Sequence, residues 1–339
     1  MKEALSFHDV LLVPKYSDIA SRSKIDIGNH LGKNINLALP VISSPMDTIT
    51  ELEMAKCLHY HGGLGIVHRY NTIAEQAAII KSFNLGCARG NIGAAVGVTG
   101  DFEERACAAV DAGANIICID VAHGHHSSVK VALETLRGVF GGDIHIMAGN
   151  VATLEGFNEL ADWGADSIRV GIGGGSICST RVQTGHGIPT FQSILECSRS
   201  SRDAKIIADG GIRSNGDIVK ALAAGADFVM LGSMLAGTTE SPGEIFHSKN
   251  KKYKVYRGMA SKAAQDDWRG KSSAPEGIST TIPFKGAVEN ILDNMIGNLQ
   301  SGFSYSGATC IEELWIKAEF IKQTSAGQVE SSTHIIRGS

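Results

Sequence analysis

The chain has 339 residues, 43% of them hydrophobic and 19% charged, with a formal net charge of −4. That length holds one large α/β domain or two smaller ones. The mildly acidic balance argues against a nucleic-acid partner but leaves room for a small phosphorylated ligand.

Residues 1–16 have neither an apolar run nor a small-residue cleavage site, so no secretory signal is expected. Apolar runs of roughly 6–8 residues fall far short of the ~20 that span a bilayer, so no membrane partner is expected either. Seven scattered cysteines without a C-x-x-C pair suit reduced thiols, and together these features point to a cytoplasmic protein.

In chain order, strands are predicted over 39–44, 63–67, 93–98, 116–121, 144–148, 167–171, 205–208 and 228–231. They are near-continuous apolar runs, as parallel strands covered on both faces should be. Helices are predicted between them over 51–61, 101–112, 127–139, 153–163 and 216–224. Cap-competent Thr50, Thr153 and Asn215 open three of these, and Gly62, Gly113, Gly164 and Gly225 close several. No G-x-G-x-x-G follows the first strand, and eight βα units favour a (β/α)8 TIM barrel over an open doubly wound sheet.

The barrel is expected to occupy residues 1–339 as a single domain. The second and third strands lie about 25 residues apart, room for one crossover helix but no inserted regulatory domain. The pattern breaks at Gly237. Residues 248–283 are polar without core periodicity and read as a mobile flap after the eighth strand. Helices over 287–299 and 311–322 close the domain. The polar tail from Thr324 is expected to be mobile or to pack on a neighbouring subunit.

Chemistry in a barrel sits on the loops at the carboxyl ends of the strands. The sixth strand leads into Gly171-Ile-Gly-Gly-Gly-Ser-Ile-Cys-Ser-Thr-Arg181. Its glycines let backbone groups converge on a ligand, Ser176 offers a hydroxyl to a phosphate, and Cys178 stands where a nucleophile would, with Thr180 two residues on. Alone, the loop also reads as a glycine-rich turn with an incidental cysteine.

Two further loops shift that balance. Ala208-Asp-Gly-Gly-Ile-Arg213 and Leu231-Gly-Ser-Met-Leu-Ala-Gly237 put Gly211, Gly232 and Ser233 where loops seven and eight of a barrel hold phosphate. Asp209 suits ribose hydroxyls. Asp120 could hydrogen-bond cofactor or ribose hydroxyls, or merely cap a turn. Arg69 could meet an anionic group or form a surface ion pair. His123, His125 and His126 invite a metal reading, but no carboxylate accompanies them at ligand spacing. Cys57, Cys107, Cys118 and Cys197 fall on apolar faces and read as core.

These loops, together with Ser43-Ser-Pro-Met-Asp-Thr48, His68-Arg-Tyr70, Gly149-Asn-Val151, Gly232-Ser-Met-Leu-Ala-Gly237 and Tyr256-Arg-Gly-Met259, resemble the IMP dehydrogenase and GMP reductase family in order from Phe7 to about Phe320. The resemblance implies a barrel, usually a homotetramer, with a purine nucleotide on the Cys178 loop and a nicotinamide cofactor beside it. Nucleotide contacts would map to Ser44, Met46, Gly175, Ser176, Asp209, Gly211, Gly232, Ser233, Tyr256, Gly258 and Met259. Cofactor contacts would map to Arg69, Asp120, Val121, Ala122 and Asn150. A monovalent cation such as K+ would rest on the carbonyls of Gly173, Gly175 and Cys178.

Within the family, the missing insert and the lack of an Arg-Tyr pair between Met259 and Glu276, where Trp268-Arg269 comes nearest, point to a reductase. The stretches Glu276-Gly-Ile-Ser-Thr-Thr-Ile-Pro283, Gly286-Ala-Val-Glu-Asn290 and Tyr305-Ser-Gly-Ala308 also resemble reductases, and imply that Glu276 and Thr180 move protons for Cys178. Ser273 departs from the arginine many reductases carry, His123 departs from their asparagine, and loops seven and eight read more like dehydrogenases. The expected activity is NADPH-dependent reduction of GMP to IMP and ammonia. The alternatives are an NAD-dependent IMP dehydrogenase and a catalytically silent nucleotide sensor, which would need none of Cys178, Thr180 and Glu276.

Overall fold

The computed structural model describes residues 3–32, 34–87 and 90–331. Eight parallel strands close into a barrel in chain order: β1 (Val41–Ser43), β2 (Leu64–Val67), β3 (Ile92–Val96), β4 (Ile116–Asp120), β5 (His145–Val151), β6 (Ser167–Val170), β7 (Lys205–Asp209) and β8 (Phe228–Leu231). β8 pairs with both β7 and β1, so no edge is left open. The expected (β/α)8 barrel is the fold.

Alternation inside the apolar runs explains their continuity. Ile42, Ile66 and Met230 point into the lumen, while their neighbours Val41, Val67 and Val229 join the core beneath the helices. Leu31, Ile35 and Leu37 of the hairpin Asn29–Gly32/Ile35–Leu37 pack into the same lumen cluster. Gly32 of that hairpin faces His145 at the start of β5, so the hairpin plugs the amino-terminal end of the barrel. The opposite, carboxyl end is left for chemistry.

The outer ring consists of α1 (Leu52–Tyr60), α2 (Ile73–Gly86), α3 (Phe102–Asp111), α4 (Ser127–Phe140), α5 (Leu154–Asp162), α6 (Thr190–Cys197) and α7 (Asn215–Ala223). α2 is the crossover expected between the second and third strands. Thr153 caps α5 as its sequence suggests. Ser214 rather than Asn215 caps α7, through a capping box with Asp217. Thr50 caps nothing: its buried hydroxyl lies 2.7 Å from the Ser44 carbonyl and ties down the loop after β1.

α1 packs so closely on β2 that a Cβ at Gly65 would lie 2.7 Å from Ala55 Cβ. Gly65→Ala should therefore cost about 1–3 kcal/mol by overpacking. Urea unfolding would register this as a lower midpoint with an unchanged slope. An unshifted midpoint would mean that the helix can retreat freely.

Two readings of the carboxyl-terminal third need correction. Residues 248–283 are not irregular: β9 (Phe246–Ser248), β10 (Lys251–Arg257) and β11 (Ser279–Pro283) form an antiparallel sheet, and α8 (Lys262–Arg269) packs beside it. The strand period was hidden because inward positions of β10 are filled by Lys254 and Tyr256. Lys254 is buried with its ammonium donating to the carbonyls of Thr238 and Ser241, and burial pulls its pKa down. Second, the last predicted helix stops early. α9 (Val288–Tyr305) and α10 (Ile311–Lys317) are helices, but Phe320–Lys322 is a strand paired antiparallel with Val10–Leu12. Ser325–Glu330 forms a short helix, and the end of the tail expected to be mobile lies outside the described residues. No helix among the described residues is long and apolar enough to cross a membrane.

Candidate active site

The Cys178 loop passes over the mouth of the barrel against the loop after β7. A Cβ at Gly171, whose φ is +144°, would lie 1.9 Å from the Asp209 carbonyl, so only glycine lets the two strand ends approach. The loop then turns, with the Cys178 N–H donating to the Gly175 carbonyl at 3.1 Å. Cys178 is exposed. Its thiol donates to Thr180 Oγ1 at 3.1 Å, and the Thr180 hydroxyl donates to Glu276 Oε2 at 2.7 Å. Sulfur, hydroxyl and carboxylate thus form one proton path.

The sheet after β8 brings Glu276 to this place. Ser179 N–H donates to the Glu276 carbonyl, Glu276 N–H to the Ala260 carbonyl, and Ile278 N–H to the Ile177 carbonyl, at 2.9–3.0 Å. These bonds stitch the flap edge to the Cys178 loop, with Cys178 and Gly277 facing each other in an antiparallel bridge.

A cavity opens from Cys178 toward the loops after β7 and β8. Every residue the sequence pointed to on the nucleotide side lines it: Ser44, Met46, Gly175, Ser176, Asp209, Gly211, Gly232, Ser233, Tyr256, Gly258 and Met259, with Thr180 and Glu276 on the wall. At its far end, Tyr256 Oη lies 3.2 Å from Ser176 Oγ. Burial pushes the Tyr256 hydroxyl above its usual pKa, so it stays a neutral donor near pH 7. A Cβ at Gly232 would meet Tyr256 Oη, Ser44 Oγ and Met46 Sδ within 3.3–3.6 Å, so these groups converge on one spot. Ser233 is braced from behind by Lys285, whose ammonium donates to its carbonyl at 2.6 Å. Among the described residues, Arg213 is the one cationic side chain on this wall.

A second cavity adjoins the first. Arg69, Asp120, Val121, Ala122, Asn150 and Gly173 line it, and Cys178, Thr180, Asp209 and Met259 are shared by both. Cys178 therefore stands where the two meet. Tyr70 and Trp268 approach to 6.3 Å between ring centroids beside this cavity, and the Arg69 guanidinium lies over Tyr70. The residues fit a flat, hydroxyl-rich cofactor: carboxylate acceptors, an aromatic edge and backbone groups in one cleft.

Three expectations need refinement. Asn150 lines the cavity, but its amide nitrogen donates to the Gly171 carbonyl and to Asp209 Oδ2, both at 2.8 Å, so it braces the site. Arg69 is no free anion receptor, since it bonds the Asp120 carbonyl and lies 3.9 Å from Asp120 Oδ2. His125 bonds Glu159, and His126 caps α4, so both serve the scaffold. No group of His, Cys, Asp and Glu among the described residues is arranged to hold a metal. At the implied cation site, the Gly175 carbonyl keeps one lone pair beyond its bond to Cys178. Arg181 crowds Gly173, where a Cβ would lie 2.6 Å from Arg181 Cγ.

Arg169 also belongs to this site, although no sequence motif marks it. It is buried inside the apolar run of β6 and pairs with both Asp120 and Asp209. A charged residue within a strand covered on both faces is costly unless partnered, and that was the available signal.

Among the seven cysteines Cys178 alone is exposed, while burial pushes Cys57 up to about 11 and Cys118 and Cys197 up to about 12. One equivalent of iodoacetamide at neutral pH should therefore label Cys178 first, and a bound purine nucleotide should protect it. Peptide mapping that found Cys107 or Cys310 labelled first would contradict this.

The family model for the IMP dehydrogenase / GMP reductase domain matches residues 4–334. Inosine-5′-monophosphate dehydrogenase of Nitrosopumilus maritimus is 34% identical, with 98% of this chain and 98% of that one aligned. GMP reductase of Leishmania major is 30% identical over 99% of this chain and 98% of that one. These alignments run over 469 and 480 positions against 339 residues here. Extra sequence therefore accompanies either name, and its absence does not favour the reductase. A cysteine-to-alanine variant of Trypanosoma brucei GMP reductase, solved in complex with guanosine 5′-monophosphate, matches with a TM-score of 0.94 at 29% identity, over 99% of both chains.

Proposed function

The chain belongs to the family of IMP dehydrogenases and GMP reductases, and we propose that it works as a GMP reductase, converting GMP to IMP and ammonia with NADPH. The family acts on purine nucleotides with a nicotinamide cofactor. The choice of direction rests on one observation: the proton path from Cys178 through Thr180 ends on the flap carboxylate of Glu276. Deamination needs a proton delivered to a departing amine, and this path can first accept one and then return it.

In this reading Glu276 takes the Cys178 proton through Thr180, and the thiolate adds to C2 of guanine. The path then returns the proton to the 2-amino group, the C–N bond breaks and ammonia leaves. The resulting thioimidate on Cys178 is electron-poor at C2. A reduced nicotinamide in the neighbouring cavity supplies hydride to that carbon when bound. The C–S bond then breaks, freeing IMP and the thiolate. Tyr256, Ser176, Gly211, Gly232 and Ser233 would hold the phosphate, and Asp209 the ribose. Met46 and Met259 would flank the base, and Asp120 would accept a cofactor hydroxyl. A potassium ion on the carbonyls of Gly173, Gly175 and Cys178 would share the loop with Arg181.

Incubation with GMP and NADPH should yield IMP and ammonia in equal amounts, resolved by chromatography and an ammonia assay. Production of XMP and NADH from IMP and NAD, with GMP left intact, would assign the dehydrogenase instead. Tight nucleotide binding without turnover in either direction would leave a sensor.

A further inference from the structure

A single side chain joins two carboxylates that face the cavities, Asp209 and Asp120. Arg169 stands mid-strand in β6, 7% exposed, between Ile168 and Val170 of the outer core. Its Nε and Nη2 both donate to Asp209 Oδ2, at 3.1 and 2.8 Å, and its Nη1 donates to Asp120 Oδ1. Asn150 also donates to Asp209 Oδ2, so that oxygen is saturated, while nothing among the described residues donates to Oδ1. Asp120 is left in the same way: among the described residues its Oδ2 faces only Arg69 Nε, at 3.9 Å. Each carboxylate therefore has one oxygen held by Arg169 and one left to accept a hydroxyl. Asp209 lines both cavities and Asp120 the second.

We propose that Arg169 is a positioning residue that couples the nucleotide site to the cofactor site, by fixing Asp209 and Asp120 at once and leaving one oxygen of each for a ligand hydroxyl. The proposal rests on reading the two cavities as nucleotide and nicotinamide sites.

Local sterics and chemistry fit this role. A Cβ at Gly149, beside Arg169 in the neighbouring strand β5, would lie 2.6 Å from Arg169 Cβ, so glycine there clears the space the side chain needs. A guanidinium fork can hold two carboxylates in fixed directions, which a lysine ammonium on a flexible stem cannot. Burial opposes the charge on Arg169, but the two carboxylates hold it charged more firmly than usual. The contacts continue on both sides. Arg69 meets Asp120 at one end, and at the other Asn150 ties Asp209 to the Gly171 carbonyl, where the Cys178 loop begins. If Asp120 lets go, Arg169 is free to re-aim, and Asp209 shifts with it.

The test uses the full chain, and its deciding ligand is IMP, which is product in one direction and substrate in the other, so that arm does not depend on which reaction the enzyme runs. Calorimetric titration with IMP and with NADPH is carried out on wild type, Arg169→Lys, Asp120→Asn and Asp209→Asn. Arg169→Lys should weaken both ligands by roughly 10-fold or more, and in steady state should raise both KM values far more than it lowers kcat. Asp120→Asn keeps Arg169 and carries the test if the lysine variant fails to fold. It should weaken IMP several-fold although it does not line the nucleotide cavity, whereas Asp209→Asn, which lines both cavities, should weaken both ligands directly. If Asp120→Asn leaves IMP affinity at the wild-type value, the coupling is overturned and Arg169 is merely a buried ion pair. A wild type that binds no IMP would instead overturn the reading of the cavities themselves.

Discussion

Cys178→Ala should abolish turnover while leaving nucleotide affinity within a few-fold of wild type. The thiol is the only exposed one among the seven cysteines, stands at the junction of the two cavities and donates to Thr180. The phosphate, ribose and base contacts lie on other residues, so the ground-state complex loses little. The covalent route is lost altogether, and removal of an enzymic nucleophile costs on the order of 10^5-fold or more in kcat. Steady-state rates and calorimetry with GMP check both halves. Residual turnover above about 1% of wild type would mean that the thiol is not the nucleophile.

Glu276→Gln should lower kcat by roughly 10^2–10^4-fold with a much smaller change in KM. The amide oxygen can still accept the Thr180 hydroxyl, which in the wild type donates to Oε2 at 2.7 Å. The backbone bonds that hold residue 276 to Ser179 and Ala260 are unaffected by the substitution. What disappears is a group able to take and return a proton. Thr180→Val should fall in the same direction, because it interrupts the path between sulfur and carboxylate. A Glu276→Gln enzyme retaining more than half of wild-type kcat would remove the carboxylate from the mechanism, and with it the reason for preferring deamination.

How much of this the sequence discloses depends on the range of the interaction involved. The barrel is legible because each strand is a local apolar run and each helix a local amphipathic one, and repetition eight times leaves few alternatives. The glycine loops are legible because glycine types mark tight backbone approaches wherever the partner lies. The flap strands are not, because Lys254 and Tyr256 occupy inward positions, and their burial depends on Thr238, Ser241 and Ser176 elsewhere in the chain. Arg169 finds its partners 40 and 49 residues away, and no local pattern pairs them. Thr180 and Glu276 are 96 residues apart, so their pairing was reachable only through the family resemblance, which the observed hydrogen bond now gives a physical form. The missing insert looked informative but separates neither activity from the other.

The most direct test of the account is the fate of the hydride. GMP is incubated with NADPH carrying deuterium at the transferred position of C4, and the purine product is examined by mass spectrometry and proton NMR. The account predicts IMP with a single deuterium at C2, released together with ammonia and absent with the Cys178→Ala protein. GMP recovered unlabelled, with IMP instead oxidised to XMP when NAD is supplied, would contradict it.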